Sequence, residues 1–271
     1  MSPRLETAFY ELGRLDTMAG KDSPIHRLDP RVKLLTTIVF IVYVVSFGRY
    51  EIVRLLPFFI FPVILVALAD LPPGYLLWKL VIVSPFVLCI GIFNPILDRE
   101  IVLQLGPVAI SGGWLSLLSI MLRFTLTVGA ALLLIATTGL PAICMAMEKL
   151  GMPRIFVVQL LMLYRYIFVL IEESIRMIRA YTLRSFSHRK MRYRVFKQLL
   201  GNLLLRTLDR AQRIHMAMLS RAFTGEVILV REFSFGGREL IYLTTVTAVL
   251  TLFRFYNIAE ILGRFILEPG L

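Results

Sequence analysis

The sequence specifies an all-α integral membrane protein with about five transmembrane helices, plus a cytoplasmic domain of one short and two long helices. Three observations predict this. First, 58% of the 271 residues are hydrophobic and only 18% charged, against ~45–50% and ~25% in soluble proteins. Mean hydropathy is +0.77, more apolar surface than a soluble core can bury. Second, apolar runs recur that approach the ~20 residues needed to cross a ~30 Å hydrocarbon core. Third, the charge is uneven: residues 172–231 hold 13 Lys/Arg against four Asp/Glu, +9 of a net +12. A basic block beside membrane spans belongs on the cytoplasmic side. Collagen-like, disordered and disulfide-scaffold classes are excluded.

The first 32 residues carry five basic and five acidic residues and do not read as a secretory signal. Asp29 is placed to cap a helix that starts at Pro30. Arg31 and Lys33 mark the cytoplasmic mouth of span one, Leu34–Phe47, with Lys33 snorkelling. A turn at Gly48–Glu51 leads to span two, Ile52–Leu68, with Arg54 near enough to an end to snorkel. Asp70–Gly74 is a second turn. Span three is Leu76–Leu97, carrying Pro85 and Asn94-Pro95; membrane helices tolerate proline where neighbours satisfy the freed carbonyls. Asp98–Gly113 reads as a long loop and Trp114–Thr137 as span four.

Thr138–Pro141 starts a short amphipathic helix, Ala142–Leu150, closed by Gly151-Met-Pro153. The apolar stretch Arg154–Ile171 has the composition of a further span. Yet Glu148 and Lys149 precede it, the basic block follows it, and Arg154 and Arg165 share one face. A helix lying along the membrane surface and running on to about Ser185 is therefore expected. A second long helix covers about Met191–Phe223. The last span, Leu240–Phe255, carries the C-terminus outside if the N-terminus is cytoplasmic. The expected organisation is thus residues 1–137 for the N-terminal segment and four spans, 138–231 for the cytoplasmic helices, and 232–271 for the last span.

The sharpest local signal is an echo. Ala180-Tyr-Thr-Leu-Arg184-Ser185-Phe186 matches Ala217-Met-Leu-Ser-Arg221-Ala222-Phe223: twice Ala-x-x-x-Arg-small-Phe at the end of a long helix. An arginine there meets the negative end of the helix dipole, which is the bland reading. Its fork also suits a bidentate grip on a carboxylate, and two such ends suit docking into two partner subunits. The methionines of the long helices (Met152, Met162, Met177, Met216, Met218) fit either a sliding interface or ordinary packing.

Other chemistry is sparse. Arg123 sits mid-span and must face the bundle interior or a polar cavity. It reads either as functional or as a donor to carbonyls freed by Pro85 or Pro95. His26, His188 and His215 lack ligand spacing, and Cys89 and Cys144 show no metal pattern or disulfide expectation. Arg189–Arg194 is basic, but beside membrane spans it reads as a contact with anionic lipid rather than nucleic acid. Gly-x-x-x-x-Gly-Lys-Ser/Thr, HExxH and Gly-x-Ser-x-Gly are absent. The chain is therefore expected neither to hydrolyse ATP nor to be an enzyme.

Four stretches carry a family resemblance: Ser23-Pro-Ile-His-Arg-Leu-Asp-Pro-Arg-Val-Lys33, Thr138–Pro153, and the triplets Leu183-Arg184-Ser185 and Ser220-Arg221-Ala222. Together they resemble the transmembrane T component of energy-coupling factor (ECF) transporters, most of all the cobalt-type subunit CbiQ. The family's triplets are often Ala-Arg-Gly; here the arginine and a small following residue are kept and the flanking residues are not. The resemblance implies a cytoplasmic coupling domain in which Leu183, Arg184, Ser185, Ser220, Arg221 and Ala222 contact two ATP-binding ATPase subunits. It implies that the long helices pass their motion to a membrane S component, with cobalt or nickel as the cargo, in the cell inner (cytoplasmic) membrane. ATP would be bound by the partners, with no cofactor or metal in this chain. Alternatives are a T component serving vitamin-type S components, a membrane-embedded enzyme, and a membrane-anchored scaffold.

Overall fold

The computed structural model describes residues 13, 17–48, 50–98, 101–105, 108–184, 193–225 and 236–256. The chain divides into two compact units: Met18–Gly139 with Phe233–Leu271, and Met1–Thr17 with Leu140–Glu232.

In the first of these, α1 spans Pro30–Val45, started by Asp29, whose carboxylate accepts from the Arg31 N–H at 2.8 Å. The Gly48–Glu51 turn follows, closed by the Glu51 N–H on the Gly48 carbonyl. The segment Ile52–Leu68 is not one uniform helix. It runs as α2 (Ile52–Leu55), a 3₁₀ turn (Leu56–Phe59) and α3 (Ile60–Leu68). Pro57 lies in the tight turn, where its missing N–H removes a helical bond. α4 (Pro73–Gly91) contains Pro85 and gives way at Ile92 to a short α5 (Phe93–Leu97).

The expected loop after span three is instead built largely from a hairpin, β1 (Ile101–Leu105) antiparallel to β2 (Val108–Ser111). Its strands are rich in Ile, Val and Leu, residues that favour extended backbone. α6 (Gly112–Thr138) is the longest helix of this unit. The last described helix of this unit, Gly237–Phe255, carries Glu239 in its first turn and Arg254 in its last, matching the helix dipole.

End contacts set the helix directions. Lys33, near the start of α1, donates to the Thr137 carbonyl at the end of α6 (3.1 Å), while Arg123 in α6 reaches the Gly48 carbonyl just past the end of α1 (2.6 Å). These helices are antiparallel. Arg254 donates to the Ser46 carbonyl and hydroxyl and stacks 4.2 Å over the Phe47 ring. The last helix therefore ends beside the end of α1. Between them lies a core of Phe40, Val44, Phe47, Leu55, Phe58, Phe61, Leu126, Ala130 and Leu250. Phe40 stacks on Phe61 (4.7 Å) and Phe47 meets Phe58 edge-on (5.3 Å). Lipid is as apolar as these side chains, so packing and hydrogen bonds, not transfer from water, hold such a bundle together. The outward faces stay apolar, as with Trp78, Val81 and Phe86 on α4.

Three described helices are long and apolar enough to cross a bilayer: Pro73–Ile96, Gly112–Thr138 and Arg154–Arg184; Ile52–Leu68 is shorter. Within the first unit, α1 packs on α6 and the last described helix packs on α1, which brings both into that unit's bundle. Arg154–Arg184 has the length of a span, so its expected surface position rests on charge placement alone.

Two expectations are corrected. Lys33 does not snorkel: it is buried, and its ammonium also donates to the His26 carbonyl at 3.4 Å. Arg123 serves the Gly48 carbonyl rather than carbonyls freed by Pro85 or Pro95. Both depend on partners far along the chain, which local rules do not identify.

Candidate functional site

Three described helices of the second unit carry the candidate site: α7 (Leu140–Lys149), α8 (Arg154–Arg184) and α9 (Tyr193–Ser220). The last helix of the other unit, Gly237–Phe255, is α10. α7 ends in a left-handed cap. Gly151 has φ 106°, its N–H donates to the Glu148 carbonyl, and the Met152 N–H reaches back to Met147. Glycine occupies this conformation without the steric penalty a side chain brings, and Pro153 then prevents the helix from resuming. Arg154 pairs with Glu148 at 3.2 Å across this turn.

α9 ends the same way with a different residue. The Ala222 N–H donates to the Leu219 carbonyl, and the Phe223 N–H returns to Met218. These two bonds define a Schellman cap, and Ala222 takes the left-handed position with φ 54°. The pattern Arg-small-Phe thereby gains a structural meaning. The arginine is the last residue of the helix end, the small residue turns the chain, and the aromatic returns to the last turn. Arg221 is exposed, with Ser220 and Ala222 exposed beside it and Phe223 half-buried.

The first copy is described only to Arg184, where α8 ends. Arg184 is exposed and Leu183 is 85% exposed. Ser185 and Phe186 lie outside the described residues. Among the described residues neither Arg184 nor Arg221 has an ion-pair partner. Each thus presents a guanidinium at the negative pole of a long helix, where it can meet an acidic group outside this unit.

Between the two ends lies a contact the sequence did not reveal. Glu173 of α8 accepts from Arg206 of α9 (2.7 Å) and from Arg176 of its own helix (2.8 Å). The Glu173–Arg176 half was accessible as an i,i+3 pair; the partner 33 residues away was not. From this contact the helices continue 11 residues to Arg184 and 15 to Arg221, roughly 17 and 23 Å at the α-helical rise.

In the membrane unit, a polar network surrounds the start of α1. The His26 ring meets the Met18 carbonyl at 3.1 Å through Nε2 and the Ser23 hydroxyl at 2.7 Å through Nδ1. A carbonyl only accepts, so Nε2 carries the proton and Nδ1 accepts from Ser23. Burial, and then the Lys33 ammonium, push His26 below its ordinary value. Burial pushes the Cys144 thiol of α7 up, which keeps it from acting as a thiolate. Among the described residues no cluster of three or more His, Cys, Asp or Glu could hold a metal ion.

Comparison with known proteins gives consistent matches. Two uncharacterized proteins of Methanocaldococcus jannaschii are similar to this chain. One is 30% identical over 105 residues, 38% of this chain and 39% of its own length. The chain thus spans well under half of that relative. The other is 25% identical over 246 residues, 84% of this chain and 82% of its own. The energy-coupling factor transporter transmembrane protein EcfT of Bacillus subtilis is 27% identical over 218 residues, 75% of this chain and 82% of its own. Residues 21–230 match the CbiQ family, described as cobalt transport protein. That match runs from the buried network before α1 past the second arginine-bearing helix end, and by it this membrane protein belongs to the CbiQ family.

Proposed function

We propose that the chain is the T component of an ECF-type importer, coupling ATP hydrolysis in two cytoplasmic ATPase subunits to uptake of cobalt or nickel through a membrane S component. The observation that carries this reading is the pair of long helices ending in exposed arginines, Arg184 and Arg221. The family match and the name of the Bacillus relative support it. Each guanidinium docks in an acidic groove of one ATPase. Closure of the ATPases on ATP moves the helix ends, and α8 and α9 carry that motion to the S component. Leu183, Ser185, Ser220 and Ala222 frame the two contacts. ATP is bound by the partners, the N-terminus and these helices face the cytoplasm, and the chain performs no catalysis itself.

The test is to reverse both charges, Arg184→Glu with Arg221→Glu, and to follow ATPase copurification and metal-ion uptake. Placing like charges together in a desolvated contact costs several kcal/mol, so ATPase binding and uptake both vanish. If both persist, the coupling assignment is wrong. Uptake of a vitamin through a vitamin-type S component, with cobalt and nickel inert, would instead assign the alternative cargo.

A further inference from the structure

We propose that Glu173 is a positioning residue that fixes how α8 and α9 cross, and so where the two arginine-bearing ends point. The geometry makes its carboxylate a two-point clamp. Oε1 takes the Arg206 guanidinium of α9 at 2.7 Å and Oε2 takes Arg176 of α8 at 2.8 Å. Glu173 is 19% exposed, beneath guanidinium groups that are 63% and 61% exposed. Arg176 holds the carboxylate on its own helix, and Arg206 carries the hold across to the other.

Apolar packing does little to fix this crossing. α9 has no fully buried residue and α8 has one, Val157. Helices with interlocked cores cross at angles set by side-chain ridges; here a directional, charge-assisted bond takes that role. The ends lie roughly 17 and 23 Å beyond the clamp, so a small change in crossing is magnified there. The consequence for transport rests on the proposed function; the clamp itself does not.

The experiment therefore reads the chain alone. Nitroxide labels are placed at Leu183→Cys and Leu219→Cys in the full chain, in detergent, with Cys89 and Cys144 replaced by alanine, and their distance distribution is measured by pulsed electron resonance. The parent gives one narrow peak. Glu173→Gln raises the share of molecules outside that peak about fivefold, the most that loss of an exposed ion pair produces. Arg206→Gln gives the same change from the exposed side of the bond. Glu172→Gln, the same charge change one residue away on an exposed side chain, leaves the peak unaltered. In an Arg176→Gln background, Glu173→Arg with Arg206→Glu restores the narrow peak. An unaltered distribution in Glu173→Gln, an equal change in Glu172→Gln, or a swap that restores nothing overturns the clamp. In the assembled transporter, Glu173→Gln keeps the ATPases bound while uptake per ATP hydrolysed falls. A parent chain that binds no ATPase contradicts the proposed function and leaves the distance result standing.

Discussion

Replacing Gly113 by alanine tests how α6 is seated. A Cβ at this position would lie 2.5 Å from Pro95 Cα, 2.6 Å from the Asn94 carbonyl oxygen and 2.8 Å from that of Asp98. Ordinary carbon contacts are ~3.5–4.0 Å, so the first turn of α6 must retreat by roughly 1 Å. All three obstacles are backbone and none can swing aside. The retreat also stretches the bond from the Gly113 N–H to the Asp98 carbonyl, now 3.2 Å. Overpacking costs ~1–3 kcal/mol and the weakened hydrogen bond about 1. The better helix propensity of alanine returns about 1 kcal/mol, leaving a net loss of about 2 kcal/mol. For a chain of this size that lowers Tm by roughly 4–8 °C. Gly129 on the same helix is the control: its nearest neighbour would be Leu80 Cδ1 at 4.0 Å. Gly129→Ala gains helix propensity and raises Tm by roughly 2–4 °C. Thermal unfolding of both variants in one detergent settles the matter. A Gly113→Ala protein that melts with or above the parent refutes the close approach of α5 and α6.

Ala222→Gly removes the penalty of a side chain in the left-handed conformation, about 1 kcal/mol, less the greater unfolded-state freedom of glycine. Hydrogen exchange at the Ala222 and Phe223 amides therefore slows, and faster exchange would contradict the Schellman assignment. His26 gives a pH dependence. Its folded value is depressed, so the unfolded chain binds more protons in the window below the ordinary histidine value of about 6.5. The contribution is complete above that value and is lost as pH falls through the depressed one. His26→Gln keeps hydrogen-bonding capacity without titrating and flattens the fall in Tm as pH drops below about 6.5; an unchanged slope contradicts the burial of a neutral imidazole beside Lys33.

Features written in adjacent residues were legible from the sequence. Asp29-Pro30 announces the start of α1, and Gly151-Met-Pro153 announces the stop of α7, because caps depend on neighbours alone. Arg184 and Arg221 were found by the echo of their surroundings. The reason for the small residue after Arg221 needed the backbone, since only a positive φ at Ala222 reveals the cap. Pairings across the chain were not legible. A local rule gives Lys33 to solvent, yet its partner lies 104 residues away at Thr137. Arg123 had several carbonyls in prospect, and the one it serves, Gly48, is 75 residues distant. Glu173 stood among many charges in a basic block, with nothing local to single out Arg206. The hairpin at Ile101–Ser111 has apolar strands around Gly106-Pro107, a pattern that an interval between two spans hides because such intervals also read as loop.

In the proposed importer both arginine-bearing helix ends meet nucleotide-binding subunits. A photoactivatable cross-linker placed at position 183, and separately at position 220, reports what lies against each end in native membranes. Docked ends give a covalent adduct with an ATP-binding subunit from both positions. Adducts with lipid alone from both positions would contradict that docking.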